Sequence, residues 1–159
     1  MANKILIIED EKPLARALEL KLAHEGFEVK NLSDGEEVLS TLEKENFSLV
    51  ISDLVMPKVD GFRVLQMLKD KQVKIPVIIL TNLSQGEDEK RARELGATEF
   101  FIKSNTPIAK IVEYIKQKIP LLQVPLPPTP PPIASLQQEV LPPPVPSLQT
   151  PLQQIQPQK

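Results

Sequence analysis

Two hydrophobic rhythms alternate along the first 119 residues. Short apolar runs, "KILII" (4–8), "SLVIS" (48–52), "IPVIIL" (75–80) and "EFFIK" (99–103), predict strands. "FEVKNL" (27–32) predicts a strand of alternating character. Between these runs the apolar residues return every three or four positions, the period of a helix with one buried face. "PLARALELKLAHEG" (13–26) places Leu14, Leu18 and Leu22 in line, with Pro13 suited to a first helical turn and Gly26 to a stop. "DGEEVLSTLEKEN" (34–46) predicts a helix presenting Val38, Leu39 and Leu42, and "GFRVLQMLKDK" (61–71) one presenting Phe62, Leu65 and Leu68. "QGEDEKRARELG" (85–96) is a very polar helix whose main apolar contacts are Ala92 and Leu95. "TPIAKIVEYIKQKI" (106–119) carries Ile108, Ile111, Val112, Ile115 and Ile119, with Thr106 as cap and Pro107 at the first helical position.

Five strand–helix units result. Near-continuous apolar strands are buried on both faces, and helical crossovers permit parallel neighbours. Right-handed crossovers then give an α/β fold, a five-stranded parallel sheet doubly wound by helices. In such a sheet, ligands sit outside the carboxyl ends of the strands. Asp53 stands there, straight after the apolar run Leu49-Val50-Ile51 and before a Pro-containing turn. Glu9 and Asp10 end the first strand, Thr81 the fourth and Lys103 the fifth. If strands one, three, four and five are neighbours, three carboxylates, a hydroxyl and an ammonium converge in one crevice.

Any one of these groups has an ordinary explanation. An Asp after a strand commonly caps a helix or makes a turn, a Thr there is a loop hydroxyl, and a lone Lys is solvated. Together they fit a specific chemistry. Clustered carboxylates repel unless a cation intervenes, and their oxygens suit a hard divalent ion, Mg²⁺ or Mn²⁺. A metal, an ammonium and a hydroxyl around a carboxylate form a cradle for a phosphoryl group. The carboxylate itself can be the phosphoryl nucleophile.

Composition changes abruptly at Pro120. Residues 120–159 hold 13 of the 17 prolines and eight glutamines but no aromatic residue or Gly, so they are read as a disordered tail with polyproline II stretches. The domains are then residues 1–119 and a Pro/Gln-rich tail, 120–159. The tail reads as a spacer or solubilising segment, or else as a docking segment through "PLPPTPPP" and "LPPPVP". The first 119 residues hold 18 Lys and Arg against 20 Asp and Glu, which excludes the basic footprint of direct nucleic-acid binding. With no Cys there is neither disulfide nor thiolate metal site. No apolar run reaches bilayer-spanning length, and the start lacks the pattern of a secretory signal, so no membrane insertion and a cytoplasmic address are expected.

The motifs "IIED", "DLVMPKVDG", "LTN" and "FIKS" stand in an order and spacing that resemble the receiver domain of bacterial two-component response regulators, over residues 3–119. The resemblance implies the strand order 2-1-3-4-5. It implies that Asp53 is a phosphoacceptor served by a histidine kinase or phosphotransfer protein. Asp10 would be the direct metal ligand, Glu9 would act mainly through water, and the backbone carbonyl of Val55 would complete the protein ligands. Thr81 and Lys103 would contact phosphoryl oxygens. Phe100 would be a rotameric aromatic, outward in the unmodified domain and inward once Thr81 has moved. The output would be altered binding of an unknown downstream protein, on the face of the fourth helix, fifth strand and last helix.

The chain also departs from the family's pattern. Asn82 replaces the usual small residue and can crowd the entrance or hydrogen-bond the phosphate. Ser104 replaces the usual proline, so no cis bond is expected there. His24, mid-helix and without an acidic surround, reads as surface or boundary packing.

Two other functions compete. A haloacid-dehalogenase-like phosphatase also uses an aspartyl nucleophile, but it carries a second Asp two residues on, where this chain has Val55. A phosphorylation-independent adaptor acting through the Pro-rich tail would not need all five edge residues. The expectation is a signalling module rather than an enzyme.

Overall fold

The computed structural model describes residues 3–119; the tail and the boundary at Pro120 lie outside the described residues. Five strands form one parallel sheet: β1 (Lys4–Ile8), β2 (Glu28–Leu32), β3 (Leu49–Ser52), β4 (Val77–Thr81) and β5 (Glu99–Ile102), in the order β2-β1-β3-β4-β5. This is the doubly wound α/β arrangement that the two hydrophobic rhythms predict. The helices are α1 (Lys12–His24), α2 (Val38–Lys44), α3 (Gly61–Asp70), α4 (Gly86–Glu94) and α5 (Ile108–Lys118).

Successive side chains of a strand point to opposite faces, and the core divides accordingly. Ile5, Ile7, Leu49, Ile51, Ile78 and Leu80 pack with Leu18 and Leu22 of α1 and with Ile111, Val112 and Ile115 of α5. Leu6, Ile8, Val50, Val77, Ile79 and Phe100 pack with Val38, Val64, Leu65, Leu68 and Ala92 of α2, α3 and α4. Each fully buried Leu or Ile contributes about 1.5–3 kcal/mol of hydrophobic stabilisation.

Three helices end in the same way. The chain turns through a left-handed residue, and the next N–H reaches back to a carbonyl five residues earlier: Phe27 to Leu22, Val73 to Leu68 and Ala97 to Ala92. Gly26 and Gly96 supply the positive φ at two of these turns, and Gln72, at φ 54°, supplies the third.

Two helix starts differ from expectation. The second helix begins at Val38 rather than Asp34, because the Asp34 carboxylate accepts the Glu36 N–H at 2.8 Å and holds that segment in a turn. The last helix takes Pro107, not Thr106, as its cap: Pro107 is extended, with ψ 143°, and its carbonyl accepts the Lys110 N–H at 3.0 Å. Neither shift changes which faces are buried.

Candidate functional site at the carboxyl edge of the sheet

Backbone hydrogen bonds bring the strand ends level. The Asp53 N–H donates to the Ile8 carbonyl at 3.0 Å, and the Glu9 N–H to the Leu32 carbonyl at 2.9 Å. Two short links then fix the backbone at Asp53 and Leu54. The Ser52 hydroxyl donates to the Asp53 carbonyl at 2.9 Å, and the Gly61 N–H donates to the Leu54 carbonyl at 3.1 Å. Gly61 has no alternative here, since a β-carbon at that position would lie 2.1 Å from the Asp53 carbonyl oxygen. The start of α3 therefore rests directly on the main chain of Asp53. Asp60 caps that helix by accepting the Arg63 N–H at 2.8 Å.

Both side-chain oxygens of Asp53, a residue only 4% exposed, are engaged. Oδ1 accepts the Val55 N–H at 3.1 Å, and Oδ2 accepts from Lys103 Nζ at 2.6 Å. Lys103 comes from the end of β5, where the chain passes into a short 3₁₀ turn, Lys103–Asn105. Its ammonium also donates to Glu9 Oε1 at 3.0 Å and to Glu11 Oε1 at 2.8 Å. Three N–H donors thus meet three carboxylates. Burial alone would lower the Lys103 pKa, but the bonds to Asp53, Glu11 and Glu9 override it and hold the ammonium above its usual range.

Glu9 is pushed the other way for a carboxylate. Burial raises its pKa, against the opposing pull of Lys103 and of the Glu11 N–H that its Oε1 accepts at 3.1 Å. Glu9 Oε2 lies 2.9 Å from Lys103 Nζ, outside hydrogen-bonding geometry, and is a buried oxygen without a hydrogen-bond partner. The ammonium offsets its charge without closing a hydrogen bond, which leaves lone pairs for a further cation. Glu9, Asp10 and Asp53 each offer a carboxylate oxygen, all within 4.8 Å of one another. The unpartnered oxygen and the all-oxygen donor set fit a hard divalent cation.

The remaining predicted residues fall around this cluster. Thr81, fully buried, ends β4 beside Ile102. Its hydroxyl oxygen accepts the Leu83 N–H at 3.3 Å, which leaves its own O–H free to donate. Val55 is exposed, as are Asn82 and Ser104. No peptide bond among the described residues is cis, in line with the expectation at Ser104. His24 is exposed at the far end of α1, beside Glu25.

Phe100 departs from its expected outward position. Its ring is 9% exposed and belongs to the core cluster that holds Ile79 and Ala92. With no hydroxyl to keep at the surface, the ring gains by burial. Sequence reasoning singled out neither Gly61 nor Glu11. The "DG" pair was the available signal for the first; for the second there was only a third acid in "IIEDE".

Comparison with known proteins agrees with this fold. Residues 5–116 match the family described as the response regulator receiver domain. The chain is 43% identical over 105 residues to a probable transcriptional regulator, ycf27, of Porphyridium aerugineum, covering 66% of this chain and 43% of that protein. It is 34% identical over 107 residues to the alkaline phosphatase synthesis transcriptional regulatory protein PhoP of Bacillus subtilis, covering 67% of this chain and 45% of that protein. The chain thus spans less than half the length of these curated relatives. Among solved structures, the signal receiver domain of a signal transduction histidine kinase from Syntrophus aciditrophicus superposes with a TM-score of 0.68 at 31% identity, covering 77% of this chain and 94% of that one. The receiver domain of the Francisella response regulator 1452 gives 0.69 at 25% identity, covering 73% and 95%. Fold, edge residues and family match converge, and the chain belongs to the response regulator receiver family.

Proposed function

We propose that Asp53 accepts a phosphoryl group from the phosphohistidine of a kinase or phosphotransfer protein, and that the modified domain signals by altered binding of a downstream protein. The observation that carries this reading is the 2.6 Å contact between Lys103 Nζ and Asp53 Oδ2, where Asp53 shares one small volume with the carboxylates of Glu9 and Asp10.

In the transfer, an Asp53 oxygen attacks phosphorus as the phosphorus–nitrogen bond of the donor breaks. The imidazole leaves with the bonding electron pair, and the carboxylate becomes an acyl phosphate. Glu9, Asp10, Asp53 and the Val55 carbonyl would hold Mg²⁺ or Mn²⁺, which when bound would offset the negative charge of donor and acceptor. Lys103 turns an N–H from the carboxylates toward a phosphoryl oxygen, and the free Thr81 O–H donates to another. The Val55 N–H holds Asp53 in place before attack.

The signal then depends on differential stabilisation of two conformations. Motion of Thr81 toward the phosphoryl group draws on the loop at Asn82 and Leu83, next to the exposed face of α4. Because Phe100 is already buried, the rearrangement rests more on this loop than on rotation of the ring. The relatives' names describe transcription regulators, which is a property of those proteins; the output proposed for this chain is a protein contact.

The test is incubation with Mg²⁺ and acetyl phosphate, read by intact mass. Wild type should gain one phosphoryl group, and the adduct should vanish in Asp53→Ala and without metal. An unmodified wild type that is shown to be folded would overturn the reading in favour of a phosphorylation-independent adaptor.

A further inference from the structure

Lys103 has three N–H donors, and all three are engaged: by Asp53 at 2.6 Å, Glu11 at 2.8 Å and Glu9 at 3.0 Å. Two of these acceptors belong to the cluster of Glu9, Asp10 and Asp53. Glu11 does not. It lies just before α1 and is 55% exposed, and its side chain caps nothing on that helix. Its one hydrogen bond from a side chain among the described residues is the one from Lys103, formed across 92 residues of sequence.

We propose that Glu11 is a competing acceptor that restrains phosphoryl transfer by holding the Lys103 ammonium away from the incoming group. This inference rests on the reading of Asp53 given above. In the transition state the three equatorial phosphoryl oxygens need donors. Asp53 gives up its share of Lys103 as its carboxylate becomes an acyl phosphate, and Glu9 would turn to a metal ion when one is bound. Glu11 keeps its claim throughout the reaction. The rate of transfer therefore depends on how often the Glu11–Lys103 bond is open, and Glu11, reaching in from the surface, acts as a brake.

The contact is short and specific, and that separates it from a general field effect. Glu11→Gln and Glu11→Ala remove the charge. Glu11→Asp keeps it but shortens the side chain by one methylene, enough to lose a 2.8 Å contact. Because the Glu11 side chain makes no cap and is exposed, all three variants should fold as the wild type does.

The experiment measures the initial rate of the Asp53 phosphoryl adduct with Mg²⁺ and acetyl phosphate, by intact mass, at low and high salt. Release of an ion pair whose Glu11 end is exposed is expected to speed the reaction about two- to fivefold in Gln, Ala and Asp alike. The gain should shrink as salt weakens the pair in wild type. If Asp behaves as wild type while Gln and Ala are faster, the effect is one of nearby charge and the proposed contact is wrong. Equal rates in all four proteins would also overturn it. An absent adduct in wild type would instead sink the reading of Asp53 itself, so the two failures are distinguishable.

Discussion

Clusters of lysine and carboxylate close both edges of the sheet, and they are built to different rules. At the amino edge, Lys4 and Lys30 meet Glu28 and Glu45, two charges against two. These side chains are between about a fifth and just over half exposed. At the carboxyl edge a single ammonium, Lys103, serves Glu9, Glu11 and Asp53, with Asp10 alongside. Lys103, Glu9 and Asp53 are nearly enclosed there. The carboxyls respond in opposite directions: Glu45 is drawn down to about 2, chiefly by its hydrogen bond from Lys30, whereas burial drives Glu9 up. A balanced cluster in reach of water is a fastening. An unbalanced, enclosed one is short of positive charge, and the rest of the fold must bear its cost.

The largest way to break the contrast is Gly61→Ala. The added methyl would lie 2.1 Å from the Asp53 carbonyl oxygen, so the loop or α3 must move. A loss of about 3 kcal/mol in urea unfolding, at the upper end of ordinary overpacking, is expected together with loss of phosphorylation. A variant as stable as wild type would mean that the carboxyl edge is pliable.

Next in size is Lys103→Met, which strands Glu9 and Asp53 with no counter-charge. A loss of about 1–3 kcal/mol is expected, short of the roughly 3–5 kcal/mol of a wholly enclosed pair because Glu11 and Asp10 face water. Adding Mg²⁺ should then recover more stability in the variant than it adds to wild type, as followed by unfolding with and without the metal. Equal responses would deny that the edge is short of positive charge.

The smallest effect is expected at the amino edge. Glu45→Gln removes two solvent-accessible pairs, with Lys4 and Lys30, so the thermal midpoint should fall only slightly at pH 7. Glu45 titrates below its ordinary value of 4.5, so the folded state releases this proton more readily than the unfolded state does. The stabilisation is therefore complete above that ordinary value and is lost as pH falls toward about 2. Wild type and variant should converge over that interval in acid unfolding; a gap that persists at its lower end would contradict the assignment.

Much of this was legible in the chain because burial writes itself into periodicity. The runs at Leu49–Ile51 and Val77–Leu80 have to be interior strands, and a parallel sheet has one edge at which to place Asp53, Thr81 and Lys103. Helix starts were harder, because short-range competition decides them. Asp34 takes the Glu36 N–H for itself, and Pro107 accepts the role given to Thr106. The partnership of Glu11 with Lys103 left no local trace, since it depends on the relative placement of two segments 92 residues apart. The burial of Phe100 was equally hidden, because it follows from packing against α4, whose sequence is nearly all charge.

The reach of Lys103 has a consequence for the protein's synthesis. Its bonds to Glu9 and Asp53 close loops of 94 and 50 residues. At about 5–20 residues per second, several seconds separate the emergence of Asp53 from that of its lysine. A growing chain therefore displays its acids without the ammonium that joins them. The cluster is complete only once β5 has been made, so a ribosome that stalls before it leaves behind a fragment whose acids lack their shared counter-charge.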